Sequence, residues 1–441
     1  MKVLILSHSD LGGGAARAAY RLHQGLKYLD VRSEMLVQYK LSDDNTVLVR
    51  HNKLDKGMAK LKLFEHLDAL PLKFSRQRPE TVFSLQWLPD RLPTQVAPLN
   101  SDLINLHWTC KGYIKIETLA KLARPLVWTL HDMWAFTGGC HYTQDCDRYQ
   151  KACGNCPQLH SSKERDLSRW VWQRKVRAWD KLDLTVVTPS RWLAKCASAS
   201  TLLGQKRVEA IPNSLDTQLY KPLERRVARE RLNLPQDRKL VLCGALMVTA
   251  DRRKGLHLLQ LALQRLSQSD WSERLSLVVF GASTPGNSTD CGLPTHYLGS
   301  LSDDVSLALV YAAADVFVAP SLQDNLPNTV LEALACGTPC VAFNIGGMPD
   351  AIAHQQNGYL ARPYAIEELA QGIAWVLEDA ERHQKLSHSA REKAEQEFAL
   401  ERQAKRYSSL FSEILTRGKT KERGEKLMRH DLPIATEKFG Q

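Results

Sequence analysis

The chain has 441 residues, too many for one ordinary hydrophobic core, so its length predicts two domains. Hydrophobic residues make up 44% and charged residues 24%, as in typical globular proteins, and no apolar run reaches the ~18 residues of a membrane span. Residues 1–222 hold 33 Lys and Arg against 21 Asp and Glu (net +12), and the remainder holds 26 against 27 (net −1). This basic excess indicates either a solvated basic face or a partner such as an anionic membrane. The sequence has no helix-turn-helix, RNA-binding or zinc-finger spacing, which argues against a nucleic-acid partner.

The first residues, MKVLILSHSD, turn polar too soon for a signal peptide and predict a buried strand, so we expect a protein of the cytoplasm or of the inner face of the membrane. Beyond them, short apolar runs alternate with longer helical patterns, which is typical of βαβ units and parallel sheets. The predicted strands are Val3–Ser7, Glu34–Gln38, Leu103–His107, Leu126–Leu130, Leu184–Thr188, Val208–Ile211, Leu240–Ala245, Leu275–Gly281, Val316–Ala319 and Pro339–Phe343. The predicted helices include Ala15–Lys27, Leu256–Ser267, Asp303–Ala313, Val330–Ala335 and Ile366–Leu377.

The alternation restarts after the loop PNSLDTQLYKP at residues 212–222, whose Pro, Asn, Ser and Asp residues predict a domain boundary. We therefore predict an α/β protein with two doubly wound, Rossmann-like parallel-sheet domains and a cleft between them. The first domain is predicted over residues 1–212 and the second over residues 213–395. A helix over residues 396–417 is expected to cross back onto the first domain, and residues 418–441 are expected to form a loose tail.

One predicted insertion, KLDKGMAKLKLFEHLDALPLKFSRQR at residues 53–78, does not follow the alternation of strands and helices. It combines basic and apolar positions, a composition that suits a helix lying on an anionic membrane surface. A helix packed on its own domain with solvated lysines explains the pattern equally well. The basic positions are Lys53, Lys56, Lys60, Lys62, Lys73, Arg76 and Arg78, and the apolar ones are Met58, Leu61, Leu63, Phe64, Leu67 and Leu70.

The loop after the first predicted strand, SDLGGGAAR at residues 9–17, places three glycines before a helix. Ligands of open α/β sheets bind beyond the carboxyl ends of the strands, where glycine lets the backbone approach them and a helix start favours an anion. We predict a phosphate or sugar contact at Gly13 and Gly14, with a tight turn without a ligand as the alternative. Arg17 occupies the third glycine position of G-x-G-x-x-G, which argues against a dehydrogenase.

His131 follows the predicted strand Leu126–Leu130, where its side chain can hydrogen-bond a sugar or phosphate; a purely structural histidine is the alternative. The loop continues into a Cys-rich segment, residues 138–160, with the spacing C-x5-C-x6-C-x2-C. Its closing C-x2-C is common in zinc knuckles, so we hypothesise a structural zinc, with His141 and His160 as substitute ligands and a reduced or disulfide-bonded loop as the rival. The four cysteines are Cys140, Cys146, Cys153 and Cys156.

A basic turn, Arg252, Arg253 and Lys254, stands just before the predicted helix that begins at Leu256. Three cations at a helix start are unfavourable for the helix dipole, so an anion is expected to offset their charge. A diphosphate suits this position, and a solvated basic turn is the alternative.

Two acids lie in APSLQDNLPNTVLEALACGTPCVAF, residues 319–343, with Asp324 in a loop and Glu332 in the helix that follows. A carboxylate accepts two hydrogen bonds at once, which matches a vicinal diol, so the two acids can hold a ribose and a sugar while the helix N–H groups face a phosphate. A helix-capping acid with a solvated Glu is the alternative. The neighbours of Glu332 are apolar, however, and a charge in such surroundings needs a partner.

These motifs together resemble the E-x7-E signature of family 4 glycosyltransferases, which have the GT-B fold, and the resemblance extends over about residues 1 to 415. The segment HDMWAFTGGCHYTQDCDRYQKACGNCPQL is similar to the subset near colanic acid biosynthesis glycosyltransferases. The other motifs that agree in order are Gly12-Gly13-Gly14, His131, Ile211-Pro212-Asn213-Ser214-Leu215-Asp216, Lys254-Gly255 and Gly346-Gly347-Met348-Pro349-Asp350.

The resemblance implies retaining transfer that requires no cofactor, with Lys254 and an arginine on the donor diphosphate and Glu332 on the ribose. Asp324 is one methylene shorter than the usual Glu, and Ala245 stands where the family has an arginine that Arg252 or Arg253 would replace. The implied catalytic residues are His131, Asp324 and Lys254, and the implied donor-binding residues are Gly13, Gly14, Arg252, Arg253, Lys254, Asn325, Leu326 and Glu332.

The sequence therefore predicts an enzyme that moves a sugar from a nucleotide diphosphate to a glycan or polyprenyl-linked acceptor in surface polysaccharide biosynthesis. A non-catalytic nucleotide-sugar-binding or scaffold protein on the same fold is the alternative, and a GT-B epimerase or phosphorylase is a third class. The motifs leave open the base, the sugar, the linkage, the acceptor and the oligomeric state.

Overall fold

Two parallel β-sheets organise the chain. The computed structural model describes residues 1–49, 58–74, 81–244, 251–281, 291–301 and 303–430. The strands of the first sheet are β1 (Lys2–Ser9), β2 (Arg32–Tyr39), β3 (Val47–Val49), β4 (Leu103–Leu106), β5 (Leu126–Thr129), β6 (Leu184–Thr188) and β7 (Arg207–Ala210). Those of the second are β8 (Lys239–Gly244), β9 (Leu275–Phe280), β10 (Thr295–Tyr297), β11 (Val316–Ala319), β12 (Cys340–Phe343) and β13 (Gly358–Ala361).

The strand orders are β3-β2-β1-β4-β5-β6-β7 and β10-β9-β8-β11-β12-β13, and the pairings between these strands are parallel. In each sheet the order reverses beside the first strand, which confirms the predicted doubly wound α/β fold. The predicted boundary near residue 213 falls between β7 and β8. Its placement to the residue stays a prediction.

Each predicted strand lies within two residues of a strand in the structure. Three strands escaped prediction, β3, β10 and β13, and each forms an edge of its sheet. An edge strand is covered less completely than a central one, so its sequence need not be a continuous apolar run. Thr-His-Tyr of β10, half-buried throughout, illustrates this point.

Helices cover both faces of each sheet, so each sheet has one apolar core on either side. None of the described helices combines the length and the apolar character needed to cross a bilayer. The helices are α1 (Gly14–Tyr28), α2 (Met58–Asp68), α3 (Leu92–Val96), α4 (Leu167–Trp179), α5 (Arg191–Ala199), α6 (Arg225–Arg231), α7 (Leu256–Ser267), α8 (Asp304–Ala313), α9 (Asn328–Ala335), α10 (Met348–Ala351), α11 (Ile366–Glu378), α12 (Ala380–Glu397) and α13 (Leu400–His430). Short 3-10 helices occupy Leu70–Phe74, Ala97–Leu99, Ile116–Lys121, Trp134–Phe136, Arg148–Gln150, Pro157–Leu159 and Arg252–Lys254.

The last helix, α13, returns to the first sheet, where Tyr407 and Phe411 are fully buried in the core that contains β1. The Tyr407 hydroxyl also hydrogen-bonds the Thr129 hydroxyl at 3.0 Å. The helix runs to His430, whereas a loose tail was predicted over residues 418–441; residues 431–441 of that tail lie outside the described residues. Its extension, GKTKERGEKLMRH, is rich in Lys, Glu and Arg, whose helix propensity favours continuation of the helix.

Two predicted features lie partly outside the described residues. Of the predicted insertion, residues 53–57 and 75–78 are outside, whereas α2 and the 3-10 helix Leu70–Phe74 are within. Ala245, predicted to end β8, is also outside, together with the question of what replaces the family arginine there.

Candidate active site

The loops at the carboxyl ends of the two sheets meet across one cleft. Asn325, in the loop after β11, donates from Nδ2 to the carbonyl oxygens of Leu130 at 3.4 Å and His131 at 3.3 Å. Its Oδ1 accepts a hydrogen bond from the Ser190 hydroxyl at 2.5 Å, just before α5. A single buried amide therefore joins one loop of the second domain to two loops of the first.

The glycine loop faces the amino-terminal end of α9. Gly13 has φ 107° and ψ 174°, a conformation open to glycine and strained for other residues, and α1 begins at the next residue. Asn328, the first residue of α9, donates from Nδ2 to the Gly14 carbonyl at 3.0 Å. The amino-terminal end of α9 thus lies near the glycine loop, and the N-terminus of a helix is a suitable position for an anion.

The basic turn reaches the first of the two predicted acids. Lys254 Nζ lies 2.6 Å from Asp324 Oδ2, and Arg253 Nη1 lies 3.4 Å from the same oxygen. Burial alone would raise the pKa of Asp324, but Lys254 and Arg253 together lower it to about 2. Arg252 is exposed, so the geometry favours Arg253 as the arginine that accompanies Lys254.

An aromatic side chain of the first domain completes this ion cluster. The Tyr142 ring lies 4.3 Å from the Arg253 guanidinium, and its hydroxyl is 3.5 Å from Asp324 Oδ1, a distance at the limit of a hydrogen bond. Tyr142 lies within the predicted Cys-rich segment, between Cys140 and Cys146, but no pattern in the sequence singled it out.

Glu332 occupies a different part of the cleft from Asp324. Its side chain is buried, with Oε1 accepting a hydrogen bond from Arg21 Nη2 at 2.8 Å and Oε2 accepting one from the Tyr311 hydroxyl at 2.9 Å. Arg21 belongs to α1 of the first domain, and Arg17, one turn earlier, pairs with Asp304 of α8. The expected partner of Glu332 therefore exists, and it is a cation from the opposite domain; the ribose contact stays a prediction.

His131 is half-buried at the end of β5, and its Nε2 lies 2.9 Å from Nδ1 of His107 at the end of β4. Burial lowers the pKa of His131 to about 4 and that of His107 well below its ordinary value, so both rings are neutral near pH 7. The neighbouring Asp132 pairs with another histidine, His141, with 2.6 Å between Asp132 Oδ2 and His141 Nδ1. The sequence analysis singled out His131, which follows a predicted strand, and missed His107, which ends the preceding predicted strand.

The four cysteines of the hypothesised zinc site line one small cavity of about 20 Å³. One thiol is held by the loop itself, because the Gly138 N–H lies 3.1 Å from Cys153 Sγ. Among the described residues, no group of three or more His, Cys, Asp and Glu side chains is arranged to hold a metal ion. His141 is not available as a substitute ligand, since its two nitrogens face Asp132 and Ser84. The zinc site stays a prediction.

Comparisons with known proteins bear on this cleft. Residues 224–393 match the family model of the glycosyl transferases group 1. The chain is 26% identical over 327 residues to the D-inositol 3-phosphate glycosyltransferase of Corynebacterium aurimucosum, covering 70% of this chain and 74% of that protein. It is 25% identical over 350 residues to WcaC of Escherichia coli, named as a colanic acid biosynthesis glycosyl transferase, covering 75% and 80%. These matches confirm the family resemblance.

Solved structures show the same architecture. Sucrose-phosphate synthase of Thermosynechococcus elongatus has a TM-score of 0.68 at 21% identity, covering 95% of this chain and all of that one. HepE of Anabaena, solved in complex with UDP-glucose, has a TM-score of 0.63 at 19% identity, covering 94% and 100%. At such identities the likeness concerns the fold, and it confirms the predicted GT-B architecture with its cleft between two domains.

Proposed function

Because this chain is a glycosyltransferase whose residues 224–393 match group 1, we propose that it transfers a sugar from a nucleotide-diphosphate sugar to a glycan or lipid-linked acceptor with retention of anomeric configuration. We place the reaction in surface polysaccharide biosynthesis because the Escherichia coli relative is named for colanic acid. The observation that carries the proposal is the meeting of Lys254, Arg253 and Asp324 opposite the glycine loop and His131.

The proposed chemistry is electrostatic. As the bond between the sugar C1 and the phosphate oxygen breaks, the electron pair passes to the β-phosphate, where negative charge develops. Lys254, Arg253 and the amino-terminal end of α9 would stabilise that charge in a cleft shielded from water. Lys254 Nζ donates to Asp324 Oδ2, so donor binding would exchange one anionic partner of Lys254 for another.

His131 and Asp324 are proposed to contact the transferred sugar, and Glu332 to contact the ribose. Glu332 is already bonded to Arg21 and Tyr311, so its carboxylate has to serve the ribose with the lone pairs that remain, or exchange a partner. Domain closure and nucleotide binding are thereby linked through one side chain.

The donor is proposed to be a uridine diphosphate sugar, because HepE was solved with UDP-glucose. Thermal shift with UDP-, GDP- and ADP-sugars tests the base, since a ligand that binds the folded state raises the melting temperature. A rise in the melting temperature with GDP- or ADP-sugars but not with UDP-sugars would overturn the uridine assignment. No stabilisation by any of them would count against donor binding.

Turnover of the stabilising sugar nucleotide tests the site. Lys254→Ala and Arg253→Ala are each expected to lower kcat about 100- to 1,000-fold, by analogy with the loss of one oxyanion-hole donor. Arg265→Ala, an exposed residue on α7, serves as the control and should keep wild-type turnover. Normal turnover in Lys254→Ala would refute its role, and a loss in Arg252→Ala larger than in Arg253→Ala would reassign the arginine.

We also propose that α2 and the turn after it rest on an anionic membrane. Leu63, Leu67 and Leu70 are exposed by 54%, 36% and 38%, and the first two are one helical turn apart. Exposed leucines on the part of the chain that carries a net charge of +12 match a surface that is both apolar and anionic. Such a location would bring the cleft to a lipid-linked acceptor.

Vesicle cosedimentation tests the membrane contact. The wild type should bind vesicles of phosphatidylcholine with phosphatidylglycerol and ignore pure phosphatidylcholine. The double variant Leu63→Ser/Leu67→Ser should bind about tenfold more weakly, because two apolar side chains are lost. Leu261→Ser, which removes a leucine 44% exposed on α7 of the second domain, is the matched control and should bind as the wild type does. Equal binding by the double variant would refute the surface.

A further inference from the structure

A chain of hydrogen bonds runs from the rim of the cleft into the core of the first sheet. His131 Nε2 lies 2.9 Å from His107 Nδ1, and His107 Nε2 lies 2.9 Å from Asn105 Oδ1. His107 and Asn105 are buried: Asn105 lies on β4, which pairs with β5, the strand preceding His131, and His107 directly follows β4. The outer ring is therefore held by His107, which is held in turn by Asn105.

The inner end of this chain fixes where its protons lie. Asn105 Nδ2 donates to the Val127 carbonyl at 3.1 Å and to the Thr129 hydroxyl at 3.1 Å. Because a backbone carbonyl can only accept, the amide nitrogen must face Val127 and the amide oxygen must face His107. An amide oxygen also only accepts, so His107 carries its proton on Nε2.

The same logic extends outward by one ring. Burial lowers the pKa of His107 well below its ordinary value, so the ring is neutral and its Nδ1 is a bare acceptor. The hydrogen in the 2.9 Å gap must then come from His131 Nε2. His131, neutral as well, has no second proton, so its Nδ1 keeps a free lone pair, and none of the side chains or backbone groups in the described ranges donates to it.

We infer that His107 and Asn105 are positioning residues that fix His131 in the Nε2–H tautomer and leave its Nδ1 as a hydrogen-bond acceptor for a ligand. Neither residue belongs to the sites predicted from the sequence. The consequence for catalysis rests on the proposed function. Nδ1 accepts the hydrogen of one hydroxyl of the donor sugar, and it rejects a donor in which fluorine, which carries no hydrogen to donate, replaces that hydroxyl.

Imidazole ¹⁵N chemical shifts of the full-length protein labelled with ¹⁵N-histidine test the tautomer directly, because a protonated and a bare nitrogen resonate far apart. The His131 signals are assigned from their absence in His131→Asn. The wild type at pH 7 should show a proton on Nε2 of His131 and none on Nδ1. A proton on Nδ1 in the wild type would overturn the inference without any activity measurement.

Two variants test whether His107 selects the tautomer. His107→Leu removes the acceptor, so the His131 signals should shift toward a mixture of tautomers, and kcat/KM for the sugar nucleotide should fall about tenfold, the equivalent of one neutral hydrogen bond. His107→Asn keeps an amide oxygen near the position of Nδ1 and should restore the wild-type tautomer and most of the activity. If His107 had only a structural role, the His107→Leu and His107→Asn variants would not differ in the tautomer of His131.

The outcomes separate the possible failures. His23, whose nitrogens face Ser33 and Thr46, is an internal reference that should not change in either variant. Unchanged His131 signals in His107→Leu would overturn the role of His107. If the wild type turns over no sugar nucleotide but His131 carries its proton on Nε2, the proposed function fails and the tautomer assignment stands.

Discussion

The two sides of the cleft present buried or half-buried polar side chains in opposite electrical states. On the first domain, His107 and His131 are neutral, because burial lowers the pKa of both and no buried anion close to the rings outweighs it. On the second domain, Asp324 is 5% exposed, about as buried as His107 at 3%, yet the pKa of its carboxyl lies near 2. Lys254 and Arg253 outweigh the burial that would otherwise raise it.

This difference indicates that burial alone does not set the charge of a group in the cleft; the partner decides. A buried group without a counter-ion gives up its charge, whereas one that faces two cations keeps it. The neutral side can therefore offer an oriented donor or acceptor to a sugar, while the charged side can exchange ionic partners with a diphosphate. Variants that remove one partner should separate the two behaviours.

The largest effect is expected where a charge would be left buried without its partner. Arg21→Met keeps most of the volume but leaves Glu332 facing only Tyr311. The free energy of unfolding should fall by about 3–5 kcal/mol, the usual result of breaking one side of a buried ion pair. Urea denaturation measures it. Arg226→Met, which removes an exposed cation paired with Glu224, should change stability by less than about 0.5 kcal/mol. Equal stability of the two variants would contradict the cross-cleft pair.

The neutral side of the cleft should make the stability of the protein depend on pH. An unfolded histidine takes up a proton as pH falls through about 6.5, whereas His131 in the folded protein stays neutral down to a pKa of about 4. The unfolded state then binds more protons than the folded state. The free energy of unfolding therefore decreases as the pH is lowered through this window, by about 2–3 kcal/mol for this residue. Asp324 acts in a lower window, since its contribution is fully present above about pH 3.8 and is lost as pH falls through its pKa of about 2.

Urea denaturation of wild type and His131→Asn at pH 7, 5 and 4 measures this slope. The variant should lose less stability between pH 6.5 and 4 than the wild type. His388→Asn, at an exposed position on α12, should keep the wild-type slope. A His131→Asn variant with an unchanged slope would show that burial does not keep this ring neutral.

A smaller loss is expected from the charged side. Asp324→Asn leaves Lys254 and Arg253 without their shared anion, but both side chains are about 20% exposed, so water can solvate part of the charge. We expect the free energy of unfolding to fall by about 2 kcal/mol, below the full cost for a buried pair. UDP should then raise the melting temperature more than in the wild type, because the diphosphate replaces the missing anion.

Asp251→Asn is the matched control for that experiment. The Asp251 carboxylate pairs with Arg253 at 2.8 Å, and Lys254 meets Asp251 through the backbone, where its N–H donates to the Asp251 carbonyl at 2.9 Å, a bond that the substitution keeps. The variant should lose some stability and keep the wild-type response to UDP. An Asp324→Asn protein that is as stable as the wild type, or responds to UDP no more strongly, would contradict the exchange of anions.

Most of the fold could be predicted from the sequence because central strands leave local apolar patterns. Part of the site could be predicted because the two acids also form a local pattern. The edge strands β3, β10 and β13 leave none, since half-burial does not require an apolar run. Asp324, Lys254 and His131 were found because they stand in loops at strand ends, and Arg17 and Arg21 could have been suspected from their spacing of four residues on α1. The partner of Arg21 depends on how the domains face each other, which no local pattern encodes.

Two other features show the same limit. His107 ended a predicted strand beside His131, but its role depends on the register of β4 and β5 and on the amide of Asn105. The cysteine spacing suggested zinc, yet spacing does not determine whether four thiols converge, and in the described structure they line a cavity without a metal-binding arrangement. Residues whose role depends on a contact with a distant part of the chain are thus the ones that sequence patterns do not predict.

The smallest expected effect concerns Tyr142, the point where an aromatic ring of the first domain touches the charged cluster of the second. Its hydroxyl lies 3.5 Å from Asp324, too far for a strong hydrogen bond, whereas its ring lies 4.3 Å from the Arg253 guanidinium. Tyr142→Phe should therefore cost less than about 0.5 kcal/mol, and Tyr142→Leu about 1 kcal/mol, in unfolding free energy and in UDP affinity. If Tyr142→Phe costs as much as Tyr142→Leu, the hydroxyl and not the ring connects the two sides, and Asp324 accepts a strong hydrogen bond from the first domain in addition to those from Ser321 and the Asn325 N–H.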